Sequence, residues 1–109
     1  MQTVIYVLAK PKQQSLRERI VTDLKNYEFD GCWKVIKGKK KGRPNGWAKI
    51  NRTDSYGSLN IEWDADSQTL IGRAVSRGGN HPNELVGRFV AYLLRWQSRR
   101  ISSITVRTI

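Results

Sequence analysis

The pattern of apolar and polar positions begins with a strand and then changes to helical spacing. The segment Thr3–Ala9 is β-branched, apolar at nearly every position and closed by Lys10-Pro11, which predicts a buried strand. Ser15 and Glu18 then form a capping-box pattern at the start of an amphipathic segment. We therefore predict a helix that begins at Ser15 and ends before Asp30-Gly31.

This first helix has one apolar stripe and one polar face. The spacing predicts that the buried stripe consists of Leu16, Ile20, Val21, Leu24 and Tyr27. The residues expected mostly on the polar face are Arg17, Arg19, Asp23 and Lys25.

Four short segments with strand character follow the helix. They are Cys32–Lys37, Trp47–Asn51, Ser58–Trp63 and Thr69–Ser76. In the third, Leu59, Ile61 and Trp63 alternate with polar residues. Short linkers rich in turn residues separate these segments and favour an antiparallel meander.

A second helix and a last strand complete the predicted fold. The helix is expected to begin at His81-Pro82 and to bury Val86, Phe89, Val90 and Leu93, widened by Leu85, Leu94 and Trp96. The final strand is Ile101–Thr108. The order β-α-β-β-β-β-α-β predicts a single α+β domain over residues 1–109, with two helices packed on one face of a mainly antiparallel sheet.

The charge of the chain indicates the kind of partner. Twenty Lys and Arg residues stand against nine Asp and Glu, and the net charge of +11 favours an anionic partner. Nucleic acid, either DNA or RNA, is the first expectation. An acidic protein partner and an anionic membrane surface remain alternatives.

Other counts restrict the class of protein. The single Cys32 and the single His81 exclude an internal disulfide and the Cys/His zinc patterns. No apolar run approaches the roughly 20 residues that a transmembrane helix needs, and no signal-peptide pattern is evident. The expectation is therefore a cytoplasmic protein.

The stretch from Lys34 to Trp47 is the most basic part of the chain. Its six cations, without an acid among them, are Lys34, Lys37, Lys39, Lys40, Lys41 and Arg43. Glycines and a proline in its second half predict a hairpin tip that contacts phosphates. Gly42-Arg43-Pro44 resembles the core of the AT-hook, and that resemblance implies insertion of Arg43 into the minor groove of DNA. A solvated basic turn is the alternative.

A second group of candidate residues lies on the neighbouring strands. Alternation places Trp47, Lys49 and Asn51 on one face of the sheet, where Arg73 is expected to join them. An indole among cations is typical of a platform on which bases stack. The phrase Gly46–Ile50 is also similar to the AP2-type DNA-binding domain, a basic three-stranded sheet followed by a helix. The alternative is that Trp47 belongs to the core.

Two further basic groups flank the second helix. The loop before it, formed by Arg77, Gly78, Gly79 and Asn80, is a candidate anion-binding loop at a helix N-terminus. Its alternative is a capped turn. On the helix, Tyr92 lies on one face with three arginines that are candidates for contact with a phosphate backbone, namely Arg88, Arg95 and Arg99. A solvated helix face is the alternative there.

An enzymatic function is not expected, and no cofactor or metal is predicted. Cys32 and His81 are far apart in sequence, and no third residue is placed to orient either. Glu62, Asp64 and Asp66 cluster at a strand end, so that a metal-dependent nuclease remains an alternative, although the same residues suit an ordinary turn. The sequence predicts no oligomeric state.

Overall fold

The predicted strands and helices are all present, and the strands form one six-stranded sheet. The computed structural model describes residues 3–12, 14–26, 32–38, 41–42, 46–54, 57–75 and 83–108, without the side chains of Lys37 and Val75. Within these residues the elements are β1 (Thr3–Ala9), α1 (Leu16–Asn26), β2 (Trp33–Lys37), β3 (Ala48–Arg52), β4 (Ser58–Asp64), β5 (Thr69–Val75), α2 (Asn83–Trp96), a 3₁₀ turn (Ser98–Arg100) and β6 (Ile101–Thr108).

The sheet is antiparallel at every described pairing. Its strand order is β2-β3-β4-β5-β1-β6, so the first strand of the chain lies inside the sheet, between β5 and β6. Strands β2 to β5 form the predicted meander, each pairing with the next along the chain. The two edges of the sheet are therefore β2 and β6.

Both helices cover the same face of the sheet, as predicted. Across four strands, Ile5 lies opposite Gly72, Gly72 opposite Ile61, and Ile61 opposite Ala48, which sets the buried row at the centre of the sheet. Opposed residues point to the same side of a sheet. The helices complete this core with Leu16, Ile20, Val21, Leu24, Leu85, Val86, Phe89, Tyr92 and Leu93. No helix in the described part of the chain packs on the other face of the sheet.

The start of α1 has the predicted cap. The Ser15 hydroxyl accepts a hydrogen bond from the Glu18 backbone N–H at 3.1 Å, which satisfies one of the free donors of the first turn. The Glu18 carboxylate accepts a 2.6 Å bond from Arg17 Nη1. The capping serine is therefore confirmed, and the glutamate of the pair holds the neighbouring arginine.

Arg17 is buried, which corrects its predicted place on the polar face. Its Nη2 donates to the backbone carbonyls of Gly38 and Trp47, the second at 2.7 Å. A guanidinium presents several donors in a rigid fork, and carbonyls compensate for its loss of water. Arg17 therefore ties α1 to both ends of the β2–β3 connection.

Asp23 is buried as well, and this too corrects the prediction. Gln97 Nε2 donates to Asp23 Oδ2 at 2.7 Å and to Tyr92 Oη at 2.9 Å. Arg19 Nε lies 3.2 Å from the same carboxylate oxygen, one turn away on α1. A buried carboxylate is stable only when such partners replace water. Burial also raises the pKa of the Tyr92 hydroxyl, which keeps it protonated.

The side chains buried in the last turns of α2 differ from the ones predicted. Leu94 and Trp96 were expected in the core, yet they are 58% and 50% exposed. Tyr92, expected on the arginine face, is buried instead, with its ring 6.2 Å from Phe89 and 6.0 Å from Trp33. The edge strand β2 supplies Trp33, and the buried stripe of α2 turns toward it.

Neither described helix has both the length and the apolar character needed to cross a membrane.

Replacement of Arg17 by methionine tests the link between α1 and the hairpin. Arg17→Met keeps the apolar stem and removes the donors to two carbonyls, so we expect a loss of about 1.5–3 kcal/mol in the free energy of unfolding. Urea denaturation followed by circular dichroism measures this value. Lys25→Met, an exposed cation on the same helix, is the control and should change stability by less than about 0.5 kcal/mol. Equal effects of the two substitutions would contradict the structural role of Arg17.

Candidate functional site

The arginines of α2 open onto a cleft that the sequence did not predict. Arg88 and Arg95 are seven residues apart, two helical turns, and therefore lie on one face of α2. That face meets β2 and β3, where Trp33 and Arg52 form the opposite wall. The cleft has a volume of about 280 Å³. We call it the arginine cleft, and its lining residues are Trp33, Arg52, Arg88, Ala91, Tyr92, Arg95 and Trp96.

The sheet wall of the arginine cleft is held in place by direct contacts. The Arg52 guanidinium is bound by both carboxylate oxygens of Asp54, through Nε at 2.8 Å and Nη2 at 2.9 Å. It also lies 5.0 Å from the centre of the Trp33 ring. Trp33 in turn packs edge-on against Phe89 at 6.1 Å. This wall is preorganised, and its cation is already partly neutralised by Asp54.

A second depression continues the same surface around the end of α2. It has a volume of about 240 Å³ and shares Arg95 and Trp96 with the arginine cleft. Its other lining residues are Arg19, Gln97, Ser98, Arg99 and Arg100. The Arg95 guanidinium lies 5.3 Å from the centre of the half-exposed Trp96 ring. Trp96 therefore stands between two arginine-lined depressions.

The charge of this combined surface is strongly positive. Its six arginines come from α1, β3, α2 and the 3₁₀ turn, and they are Arg19, Arg52, Arg88, Arg95, Arg99 and Arg100. Asp23 and Asp54 neutralise Arg19 and Arg52. In the described parts of the chain, no carboxylate lies within 4.0 Å of a nitrogen of the other four. Such a surface attracts anions through guanidinium groups for which the described residues supply no carboxylate partner.

The sequence identified three of the six arginines of this surface. Arg88, Arg95 and Arg99 are in the predicted stripe, whereas Arg19, Arg52, Arg100, Trp33 and Trp96 were not predicted as site residues. One signal was available for Trp96. It follows Tyr92 by four residues and Arg88 by eight, which places it on the same helical stripe as the arginines. Arg52 and Trp33 gave no comparable signal, because their proximity to α2 depends on the packing of the sheet edge.

Three other predicted cations, Lys34, Lys49 and Arg73, lie on the opposite face of the sheet, which we call the uncovered face because no described helix packs on it. Lys49 is opposite Asn60, which is opposite Arg73, and the row continues through Val4 to Arg107. Lys34 lies opposite Asn51 on this same face. Arg73 is 3.5 Å from Glu62, and the Arg107 guanidinium is 5.7 Å from the centre of the Tyr6 ring. The fold therefore separates the predicted cations into two surfaces.

Trp47 does not form a stacking platform, and this prediction is wrong. The residue is 2% exposed, so its ring is not open to a base. It precedes β3, in which Ala48, Ile50 and Arg52 are the buried positions. Lys49 and Asn51 do share the predicted face, but Trp47 does not join them in the open. The alternative interpretation, a buried structural tryptophan, is confirmed.

Two predicted sites fall mainly outside the described residues. In the basic hairpin these are Lys39, Lys40 and Arg43, together with the side chain of Lys37. Lys41 is exposed in the turn, and the neighbouring Gly42 has a φ of 81°, which favours glycine. The whole anion-binding loop, Arg77, Gly78, Gly79 and Asn80, also lies outside. The AT-hook-like contact and the anion-binding loop stay predictions.

The acidic cluster at the end of β4 is built as a turn. Asp64 Oδ1 accepts the Asp66 backbone N–H at 3.1 Å, and Oδ2 accepts the Ser67 hydroxyl at 2.8 Å. Glu62 points instead to the uncovered face, toward Arg73. Among the residues that the structure describes, no three His, Cys, Asp or Glu side chains gather as a possible metal site.

Comparisons with family models, curated protein sequences and solved structures give no match for this chain. The similarity to the AP2-type domain therefore gains no support from them.

Alanine substitution of two tryptophans tests the assignment of Trp47 to the core and of Trp96 to the surface. Trp47→Ala removes a buried indole and should lower the free energy of unfolding by about 3–5 kcal/mol. Trp96→Ala, in a half-exposed position, should lower it by less than about 1 kcal/mol. Thermal and urea denaturation of both variants measure the difference. The reverse order would contradict the burial of Trp47.

Proposed function

We propose that this protein binds single-stranded nucleic acid through the arginine cleft and the adjoining depression. The observation that carries the proposal is the arrangement around Trp96, an exposed indole between two depressions that together contain six arginines. Aromatic rings that accept bases, set in a groove of cations that follows the backbone, are the usual means of binding single strands.

The charges of the surface suit a phosphate backbone. Arg88, Arg95, Arg99 and Arg100 are on one continuous surface, with no described carboxylate in ion-pair contact. A guanidinium binds two phosphate oxygens at once, and it does so with less cost of dehydration than an ammonium group. Several such contacts release counterions and give an affinity that falls steeply with salt.

The aromatic residues of the surface favour unpaired bases over a duplex. Trp96 is half exposed, so part of its side chain faces solvent beside the arginines. Bases inside a duplex are already stacked on each other and do not present their faces, whereas single strands present them readily. The volume of the arginine cleft, about 280 Å³, suits one nucleotide unit rather than a helix.

The basic hairpin and the uncovered sheet face have a secondary place in this proposal. Lys49 and Arg73 are on the opposite side of the sheet from α2, and Arg73 faces Glu62. A strand bound around Trp96 does not reach both surfaces at once without wrapping around the sheet edge β2. We therefore assign specific contacts to the α2 side and only general attraction to the other cations.

The proposal is tested by neutralising two arginines on α2. Arg88→Gln with Arg95→Gln removes two phosphate contacts, so the slope of log affinity against log salt should shrink by up to about 1.4 for a single-stranded oligonucleotide. Fluorescence anisotropy at several salt concentrations gives this slope. The matched control is Lys49→Gln with Arg73→Gln, which removes the same charge from the uncovered face and should leave the slope nearly unchanged.

Two outcomes would contradict the proposal. Equal losses in both double variants would mean that binding follows the total charge of the protein and not this surface. An acidic peptide of the same charge serves as a second ligand, because it has no bases to stack on Trp96. If it bound as tightly as the oligonucleotide, a protein partner would replace nucleic acid as the favoured ligand.

A further inference from the structure

The edge strand β6 has an outer side that nothing in the described structure covers. One side of β6 pairs with β1 from Thr3 to Ala9. Its other side has no neighbouring strand, because β6 is the last strand in the order of the sheet. Proteins normally protect such edges with lysines, prolines, irregular register or short strands. An unprotected edge of eight residues is a ready template for another strand.

The opposite edge strand, β2, has several of the features that normally protect a sheet edge from pairing with another strand. It has five residues, it contains Lys34 and Lys37, and its register shifts between Val35 and Lys37. By contrast, β6 has eight residues and one charged residue, Arg107. The only register shift of the β1–β6 pair lies at one end, between Leu8 and Ala9. The two edges are thus built differently.

An apolar groove lies directly beside the open edge. It runs between α2 and β6, has a volume of about 460 Å³, and has no charged side chain among its described lining residues. Leu94 is 58% exposed and Val106 is 47% exposed in this groove. The remaining lining residues are Val90, Ser98, Ile101, Ser102, Ser103 and Ile104. Exposed leucine and valine side chains together with an unpaired strand mark an interaction surface.

We propose that β6 pairs with β6 of a second copy of this chain, so that two six-stranded sheets join across a two-fold axis. A net charge of +11 makes most approaches between two copies repulsive. Among the described residues, the β6 edge and its groove carry a single charge, on Arg107, and they are self-complementary: each copy offers the strand edge and the apolar groove that the other needs. Two-fold interfaces are built in this way from one patch used twice.

The alternation of side chains selects the register. The apolar groove lies on the side of the sheet that the helices cover. In the joined sheet, both copies present this groove on the same side only if the two-fold axis passes through a pair of equivalent residues and not between two residues. With the axis at Thr105, Ile104 of each copy lies opposite Val106 of the other. Arg107 then lies opposite Ser103, so no cation faces a cation across the joint.

The test compares one lysine substitution at each edge of the sheet. Val106→Lys places a cation opposite Ile104 of the other copy, in the apolar groove and diagonal to its own symmetry mate, and should weaken the dimer at least about tenfold, because every change in a two-fold interface occurs twice. Ile36→Lys is the matched control on β2, where the side chain is 44% exposed, and it should leave the dimer intact. Sedimentation velocity over the micromolar range, without nucleic acid, measures the dissociation constants.

Each of these results supports or overturns the pairing of β6 strands, and none of them depends on nucleic-acid binding. A wild-type dimer that Val106→Lys weakens and Ile36→Lys does not supports the pairing. A wild-type monomer throughout that range overturns it, as does a dimer that resists Val106→Lys or is lost with Ile36→Lys. If circular dichroism shows that Val106→Lys does not fold, Leu94→Lys on α2 takes its place with the same expected loss. In a Cys32→Ser background, Thr105→Cys should then give a disulfide-linked dimer and Ser103→Cys should not.

Discussion

The buried hydrogen bond between Gln97 and Asp23 determines where the two helices meet. These residues are 74 positions apart, and the Gln97 amide reaches both the Asp23 carboxylate and the Tyr92 hydroxyl. Removal of a carboxylate from water requires fixed partners. Because Gln97 directly follows α2, the end of that helix is held beside α1. This contact brings Arg19 of α1 next to Arg99 and Arg100 in one depression.

The same arrangement explains why the candidate surface is composite. No single element supplies it: α2 provides Arg88, Arg95 and Trp96, while β2 and β3 provide the wall of Trp33 and Arg52. The rings of Trp33, Phe89 and Tyr92 connect this wall to the core. Stability and the proposed binding site thus depend on common residues, so a substitution at Tyr92 or Trp33 should affect both.

Much of the fold was predictable from the sequence, and the misplaced residues share a physical cause. Alternation and helical spacing identified the strands, the cap at Ser15 and the single buried face, because these signals are local. The burial of Arg17 and Asp23 depends on carbonyls and an amide more than 20 residues away, which no local pattern reveals. Trp47 was predicted at the surface but is buried, whereas Trp96 was predicted in the core but is half exposed. For Trp96 the reason is that the apolar stripe of α2 does not show where the sheet beneath the helix ends.

The indole N–H signals of the four tryptophans report directly whether a single strand binds at Trp96. Titration of the ¹⁵N-labelled protein with a single-stranded oligonucleotide, with signals assigned by single Trp→Phe variants, follows each ring separately. We expect a saturable shift of the Trp96 signal and no comparable shift of the buried Trp47 signal. An unchanged Trp96 signal at saturating oligonucleotide would contradict it and would remove the arginine cleft from the binding surface.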